Sequence, residues 1–387
     1  MVDQLLDARS MFVASAQDAG LGDETSPEIR ARFEGVVDVM NDAIGDLSVE
    51  IITARLRRVL DRRLAMVADR MRFPGLTEVP IEQPIFVVGF ARTGTTLLHC
   101  LLAELPGCRA PMLWETRNPS PPPRSDEDEV ARIRFGDLEA QFVCEHVPGI
   151  LAAHPYFDMG GRVPIEDEEI LTLDFQNAYP NWYPEGPLVM DIGAQDPESG
   201  YRFHREFLQQ LQFGRSPARW VLKGTAHQFL LEQLWAEYPD ARCVWTHRDP
   251  VETYGSMLEL TAMVQEATAG PIDRPALAEG LLAGMRAGLD GALSSPFLDD
   301  PRLAHVRFND LVADPVTVLE RLFKSWSLDW TSQHSGCART WLDDSANRGD
   351  RHGRFTWSLE SFDVTAEEID RLFADYRMRF LGDGSGA

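Results

Sequence analysis

Two short stretches of this chain carry residues able to hold phosphate groups. The first is Pro84-Ile85-Phe86-Val87-Val88-Gly89-Phe90-Ala91-Arg92-Thr93-Gly94-Thr95-Thr96-Leu97-Leu98, which reads as a buried strand, a glycine-bounded loop and a helix start. A loop running into a helix N-terminus aims unpaired backbone N–H groups and the positive end of the helix dipole at one point, where an anion can sit. The spacing Gly-x-x-x-x-Gly is that of a nucleotide phosphate loop, but Thr95 stands where an ATP-hydrolysing loop carries Lys. Without that Lys there is no dedicated cation for a β/γ-phosphate pair. The loop therefore suits a less charged group, with Arg92 as its only fixed positive charge.

The second stretch begins with another buried strand, Arg242-Cys243-Val244-Trp245-Thr246-His247, followed at once by Arg248-Asp249-Pro250-Val251-Glu252-Thr253-Tyr254-Gly255-Ser256. Asp249 is a good N-cap, Pro250 fits the first helical position and Glu252 completes a capping box, so a helix starts here. Arg248 then sits at the carboxyl end of a strand, and Ser256 lies about two turns into the helix. A guanidinium and a hydroxyl so placed can grip one phosphate from two sides. A cation of a different kind ends a third strand: Lys223, in Trp220-Val221-Leu222-Lys223-Gly224-Thr225-Ala226-His227, belongs to a chain with only one other lysine, Lys324.

Gly-Phe-Ala-Arg-Thr-Gly-Thr-Thr resembles the 5′-phosphosulfate loop of sulfotransferases that use 3′-phosphoadenosine 5′-phosphosulfate (PAPS), in the version with Arg before Thr-Gly-Thr-Thr. The resemblance implies Arg92, Thr93, Gly94, Thr95 and Thr96 as donor-binding residues. Arg-Asp-Pro with Ser eight residues after the Arg is similar to the segment that holds the 3′-phosphate, which implies Arg248 and Ser256. Leu-Lys-Gly-Thr-Ala-His is similar to the segment whose strand-end Lys touches the transferring group, which implies a catalytic Lys223 beside Arg92. Near the C-terminus, Arg351-His352-Gly353 weakly resembles the Arg-Lys-Gly segment that completes the 3′-phosphate site, and Arg351 and Gly353 are its candidates. Leu97 departs from the pattern, since many cytosolic members carry there an aromatic that stacks on adenine.

The implied reaction moves a sulfuryl group from PAPS to a hydroxyl and leaves 3′-phosphoadenosine 5′-phosphate, with no metal. A strand end reading His247-Arg248 offers a cation where Mg²⁺ would want a carboxylate. Sulfuryl transfer also needs a base for the acceptor hydroxyl. Glu115, in Trp114-Glu115-Thr116-Arg117, stands where tyrosine-modifying sulfotransferases carry a catalytic Glu within Glu-Thr-Arg. His154 lies about sixty residues after Arg92, a separation comparable to that between loop and catalytic His in cytosolic small-molecule sulfotransferases, and imidazole is intrinsically the better base near neutral pH. Matching neighbours rank Glu115 first; the choice stays open.

Elements that must position these groups follow from hydrophobic period. Residues 1–80 read as a helical N-terminal region: Ser26-Pro27-Glu28 starts a helix, and Ile52, Leu56, Val59, Leu60, Leu64 and Val67 recur at helical spacing opposite an Arg-rich, solvated face. Residues 81–387 read as an α/β domain. Strands near 84–89, 219–222, 242–247 and 303–308 alternate with helices over 94–105, 226–237, 250–264 and 315–327. This predicts a P-loop-like parallel sheet flanked by helices, with ligands at the strand carboxyl ends. A mostly helical insertion at about 110–215 opens with the non-helical Asn118-Pro119-Ser120-Pro121-Pro122-Pro123 and a helix start at Ser125. Its aromatics, among them Trp114, Phe135, Phe175, Tyr179, Trp182 and Tyr183, read first as packing and second as an acceptor pocket.

Composition bounds the partners. A formal charge of −24, from 61 acidic and 37 basic residues, argues against nucleic acid and anionic lipid surfaces. Five scattered cysteines without a Cys-x-x-Cys pair indicate neither a disulfide framework nor a zinc site. The N-terminus does not read as a basic leader and no apolar run reaches membrane length, so the expectation is a cytoplasmic protein. The aromatics of the insertion lean the acceptor toward a small-molecule or lipid-like hydroxyl. Two alternatives stand beside the sulfotransferase reading: an ATP-dependent small-molecule kinase on the same scaffold, and a catalytically silent nucleotide-binding module.

Overall fold

The computed structural model of the chain describes residues 6–22, 26–43, 49–122, 126–176 and 196–382. Ser125, Tyr179, Trp182, Tyr183 and residues 383–387 lie outside the described residues. In chain order the first elements are α1 (Ala8–Asp18), α2 (Pro27–Ala43), α3 (Val49–Arg72), β1 (Ile85–Val88), α4 (Thr95–Ala103), β2 (Cys108–Arg109), α5 (Leu113–Arg117), α6 (Asp126–His146), α7 (Ile150–Ala153), α8 (Glu168–Leu173) and α9 (Pro197–Gln212). They are followed by β3 (Arg219–Gly224), α10 (Leu231–Glu237), β4 (Arg242–His247), α11 (Pro250–Ala269), α12 (Arg274–Leu293), β5 (Leu303–Arg307), α13 (Phe308–Ala313), α14 (Pro315–Ser325), α15 (Ser332–Asp343), α16 (Ala366–Leu372) and a last turn, Ala374–Tyr376, that runs into Arg377–Leu381.

Two compact units share these elements. One takes in Met1–Ile81, Met112–Val143 and Gly160–Pro217; the other takes in Glu82–Pro111, Cys144–Met159 and Ala218–Ala387.

The first unit is helical. Phe12, Phe33, Met40, Leu56, Leu60 and Leu64 form one buried cluster, so the apolar stripe read from α3 faces α1 and α2. The opposite, Arg-rich face of α3 corrects the expectation of a solvated surface. Arg63 is buried and its Nε donates to Asp174 Oδ1 at 2.6 Å, while Arg32 Nη2 reaches Asp174 Oδ2 at 2.7 Å. Arg62 lies 3.7 Å from Glu139, and Arg70 donates to Gln209 Oε1 at 3.2 Å. A fully buried carboxylate such as Asp174 is tolerated only with countercharge and hydrogen bonds around it, which these arginines supply. Trp114 and Phe175 are buried packing residues, whereas Phe135 is exposed.

The second unit is built on a five-stranded sheet in the order β2-β3-β1-β4-β5, with every pairing parallel. β1 is central and buried at all four residues, as the unbroken run Ile-Phe-Val-Val requires of a strand covered on both faces. Its last residue, Val88, pairs with Gly224, the end of β3, on one side and with Trp245 on the other, so β4 runs two residues further, to His247. Expected strands and helices recur here, joined by α7, α13, α15 and α16, which the sequence reading did not include, and with further differences. The helix expected over 226–237 is a short turn at His227–Phe229 followed by α10, and β2 and α12 had no clear sequence signal. A two-residue strand has no alternation to read. Among the described residues no helix is long and apolar enough to cross a membrane.

Candidate active site

The loop from β1 to α4 takes its shape from two glycines. Gly89 has φ +136°, and a Cβ there would lie 2.8 Å from Thr246 Oγ1 and 2.9 Å from the Thr246 carbonyl oxygen. Its N–H donates to Gln228 Oε1 at 3.0 Å, which ties the loop to the segment after β3. Gly94, at φ +92°, is the N-cap of α4 and supplies no side-chain cap, so the first amides of the helix have no partner within it. A Cβ at Gly94 would meet the Phe308 ring at 2.9 Å.

Side chains of the loop divide between structure and site. Thr93 is fully buried, and its hydroxyl contacts the Phe90 carbonyl and Thr246 Oγ1, both at 2.6 Å; it closes the loop from within. Thr95 is buried at the start of α4 and Thr96 is half-buried. Arg92 adopts φ +71°, unusual for a residue with a side chain. Its Nε donates to Ser256 Oγ at 2.9 Å and its Nη1 to the Ala153 carbonyl at 2.6 Å, and the guanidinium lies 5.3 Å from the centre of the Phe355 ring.

Arg248 follows β4 directly. Its Nη1 donates to the backbone carbonyl of Arg92 at 2.9 Å, and its guanidinium lies over Phe308 at 4.5 Å. Burial pushes its pKa below the ordinary arginine value, while Glu252 and Asp249 oppose the shift. Asp249 caps α11 as expected, accepting from Val251 N and Glu252 N, but the expected capping box is half-formed. Glu252 Oε2 takes Arg248 Nη2 at 3.1 Å instead of returning to the cap, because a charged guanidinium outcompetes a neutral amide. Ser256 is buried, about two turns into α11. Lys223, near the end of β3, is only 3% exposed, and its Nζ donates to Thr96 Oγ1 at 3.3 Å. The structure thus brings Arg92, Thr96, Lys223, Arg248 and Ser256 to one end of the sheet.

The two base candidates part company. His154 follows α7 in the same unit, and the residue before it, Ala153, gives its carbonyl to Arg92. Glu115 belongs to the other unit, is fully buried in α5, and its Oε2 accepts the N–H of Met112 at 3.0 Å across its own helix start.

Arg351 is committed to protein partners. Its Nε and Nη2 fork onto Asp158 at 2.8 and 2.5 Å, Nη2 also reaches the Pro155 carbonyl at 2.7 Å, and Nη1 donates to the Arg348 carbonyl at 2.8 Å. His352 Nε2 meets the same Asp158 at 2.6 Å. Gly353, at φ +91°, turns the chain beyond them. The loop is therefore latched to the segment that follows His154. Sequence reading passed over Thr246, Gln228, Phe308 and Asp158; Thr246 lies inside one quoted segment and Gln228 directly follows another, whereas Phe308 and Asp158 are joined to the site solely by folding.

Residues 84–332 match the model of the sulfotransferase family. The phosphate loop, the Lys223 segment and the Arg248–Ser256 segment all fall inside that match, and Arg351 lies beyond it. The chain is 26% identical over 313 residues to the omega-hydroxy-beta-dihydromenaquinone-9 sulfotransferase Stf3 of Mycobacterium bovis and of Mycobacterium tuberculosis, covering 74% of this chain and 71% of each relative. The crystal structure of sulfotransferase STF9 from Mycobacterium avium superposes with a TM-score of 0.81 at 25% identity over the whole of both chains. Sulfotransferase STF1 from Mycobacterium tuberculosis shares the fold, with a TM-score of 0.74 at 24% identity, over 96% of this chain and all of the other. With a phosphate-type loop on a P-loop-like parallel sheet and a family match over well over half of its length, the chain is an enzyme and belongs to the sulfotransferase family.

Proposed function

We propose that this enzyme transfers a sulfuryl group from PAPS to a hydroxyl of a lipid-like acceptor. The observation that carries the reading is the convergence of Arg92, Ser256 and Arg248: Arg92 donates to Ser256, and Arg248 donates to the Arg92 carbonyl. Residues of both phosphate-type segments thus meet at one sheet end. The chemistry of the donor set fits PAPS, since the uncapped start of α4 and the buried Lys223 supply amides and a cation suited to a phosphosulfate. PAPS supplies the sulfuryl group and leaves as 3′-phosphoadenosine 5′-phosphate.

In this reading the α4 amides with Thr95 and Thr96 hold the 5′-phosphate, and Arg248 with Ser256 holds the 3′-phosphate. Arg92 and Lys223 stabilise charge that develops on the leaving oxygen. His154 takes the acceptor proton, which reverses the order suggested by flanking residues. Its support is the Ala153 carbonyl bond to Arg92, whereas the Glu115 carboxylate spans its own helix start. Arg351 and Gly353 complete the donor site only if the Asp158 fork opens. The lipid-like acceptor is supported by the 26% identical relatives, whose name places a hydroxyl on a menaquinone.

The test is PAPS turnover over a panel of hydroxyl acceptors, apolar alcohols and phenols included, with mass detection of the sulfated product. Thermal shift with 3′-phosphoadenosine 5′-phosphate against ATP, with and without Mg²⁺, accompanies it. Preference for Mg²⁺-ATP, or no sulfated product from any acceptor, overturns the reading.

A further inference from the structure

The turn from β4 into α11 is gripped from behind by the last helical turns of the chain, and the grip has a fixed hydrogen-bond direction. His305 Nε2 lies 3.1 Å from the Leu298 carbonyl, which only accepts, so this nitrogen carries the proton. In a neutral ring His305 Nδ1 is then an acceptor, and it takes the N–H of His247 Nε2 at 2.9 Å. His247 Nδ1 in turn accepts the Tyr376 hydroxyl at 3.0 Å. His247 directly precedes Arg248, so the Tyr376 hydroxyl holds the residue next to the arginine. Burial disfavours the charged form of both histidines, and the neutral form is the one this series requires.

Packing holds the series in place. His247 and Tyr376 are almost completely buried, and the Phe380 ring stacks on His247 at 4.0 Å with 9° between planes. Arg377 Nη1 reaches Asp249 Oδ2 at 2.6 Å. The C-terminal turns therefore hold His247 and Asp249, the residues on either side of Arg248, whose own guanidinium meets the Arg92 carbonyl.

We propose that Tyr376, through the series Tyr376–His247–His305, is a positioning residue that fixes the Arg248 backbone so that its guanidinium meets the 3′-phosphate of the donor. The proposal rests on the PAPS reading above. A directed series of neutral groups restricts the turn through hydrogen bonds without adding a further charge beside the arginine.

The experiment compares binding of 3′-phosphoadenosine 5′-phosphate with adenosine 5′-monophosphate, which lacks the 3′-phosphate, by calorimetry on the wild type, Tyr376→Phe and His305→Ala. His305 lies on the edge strand at the end of the series farthest from Arg248, so His305→Ala cuts the series there if Tyr376→Phe fails to fold. The expected result is about tenfold weaker binding of the 3′-phosphorylated nucleotide, the scale of one lost hydrogen bond, with unchanged binding of the monophosphate. In turnover the same variants raise KM for PAPS and leave kcat near wild type. Equal loss for both nucleotides, or no loss for either, overturns the proposal. Wild-type protein that binds the two nucleotides equally overturns the PAPS reading itself, and the proposal with it.

Discussion

Arg92 Nε donates to Ser256 Oγ at 2.9 Å although the two residues stand 164 positions apart in the chain. One belongs to the loop after β1 and the other to α11, and this bond makes the two phosphate-type segments one site. Ser256→Ala removes the acceptor that anchors the guanidinium. The expected outcome is a roughly tenfold rise in KM for PAPS with a smaller change in kcat, read from initial rates at saturating acceptor. An unchanged KM would remove Ser256 from the donor site.

Lys223 separates charge from shape. Its ammonium is buried beside Thr96, so Lys223→Met keeps most of the stem volume and removes the cation. A fall in kcat of about 10²–10³ is expected, on the scale of one lost charge-stabilising donor, with folding intact by thermal unfolding. Retention of wild-type kcat would assign the lysine to packing.

His154 and Glu115 are told apart by paired substitutions. His154→Ala should lower kcat by about 10²–10⁴ with little change in thermal midpoint. Glu115→Gln keeps an oxygen for the Met112 N–H and should retain activity, while Glu115→Ala loses that bond and costs about 0.5–2 kcal/mol of stability. An inactive, stably folded Glu115→Gln would return the carboxylate to the role of base.

Gly94 is set by conformation and by contact. An alanine there must hold φ near +92° with its Cβ 2.9 Å from the Phe308 ring. Gly94→Ala should cost about 1–3 kcal/mol, visible as a lowered thermal midpoint. A midpoint equal to wild type would show that the loop has another conformation available to it.

The Asp158 latch has a pH signature. Burial acts to raise the Asp158 pKa, but the bonds from Arg351 and His352 outweigh it and hold the carboxyl below its ordinary value. A depressed carboxylate contributes its stabilisation in full above the unfolded-state pKa of about 3.9 and loses it as pH falls through the folded value. The protection of residues 348–354 against hydrogen exchange, measured relative to the intrinsic rate at each pH, should therefore be high at pH 5 and fall below about pH 4. Asp158→Asn should lower that protection at pH 5 and neutral pH and change it little below about pH 4. Equal exchange in wild type and Asp158→Asn at neutral pH would mean that Asp158 does not hold this loop.

Local chemistry by itself determined a good part of this protein. The run Ile85–Val88, the glycines at 89 and 94 and the cap at Asp249 specify strand, loop and helix through short-range rules, and they led to the parallel sheet without coordinates. Tertiary structure decided what depends on distant neighbours. Thr93 reads like a phosphate ligand but turns its hydroxyl to Thr246, and the Arg face of α3 reads as solvated but surrounds Asp174 and Glu139. Arg351 reads as a phosphate grip but forks onto Asp158, and nothing near Tyr376 in sequence announces His247. The physical reason is common to all four. Backbone propensity and capping act within a few residues, whereas the partner of a buried charge or hydroxyl is whichever group the folded chain places within hydrogen-bond reach.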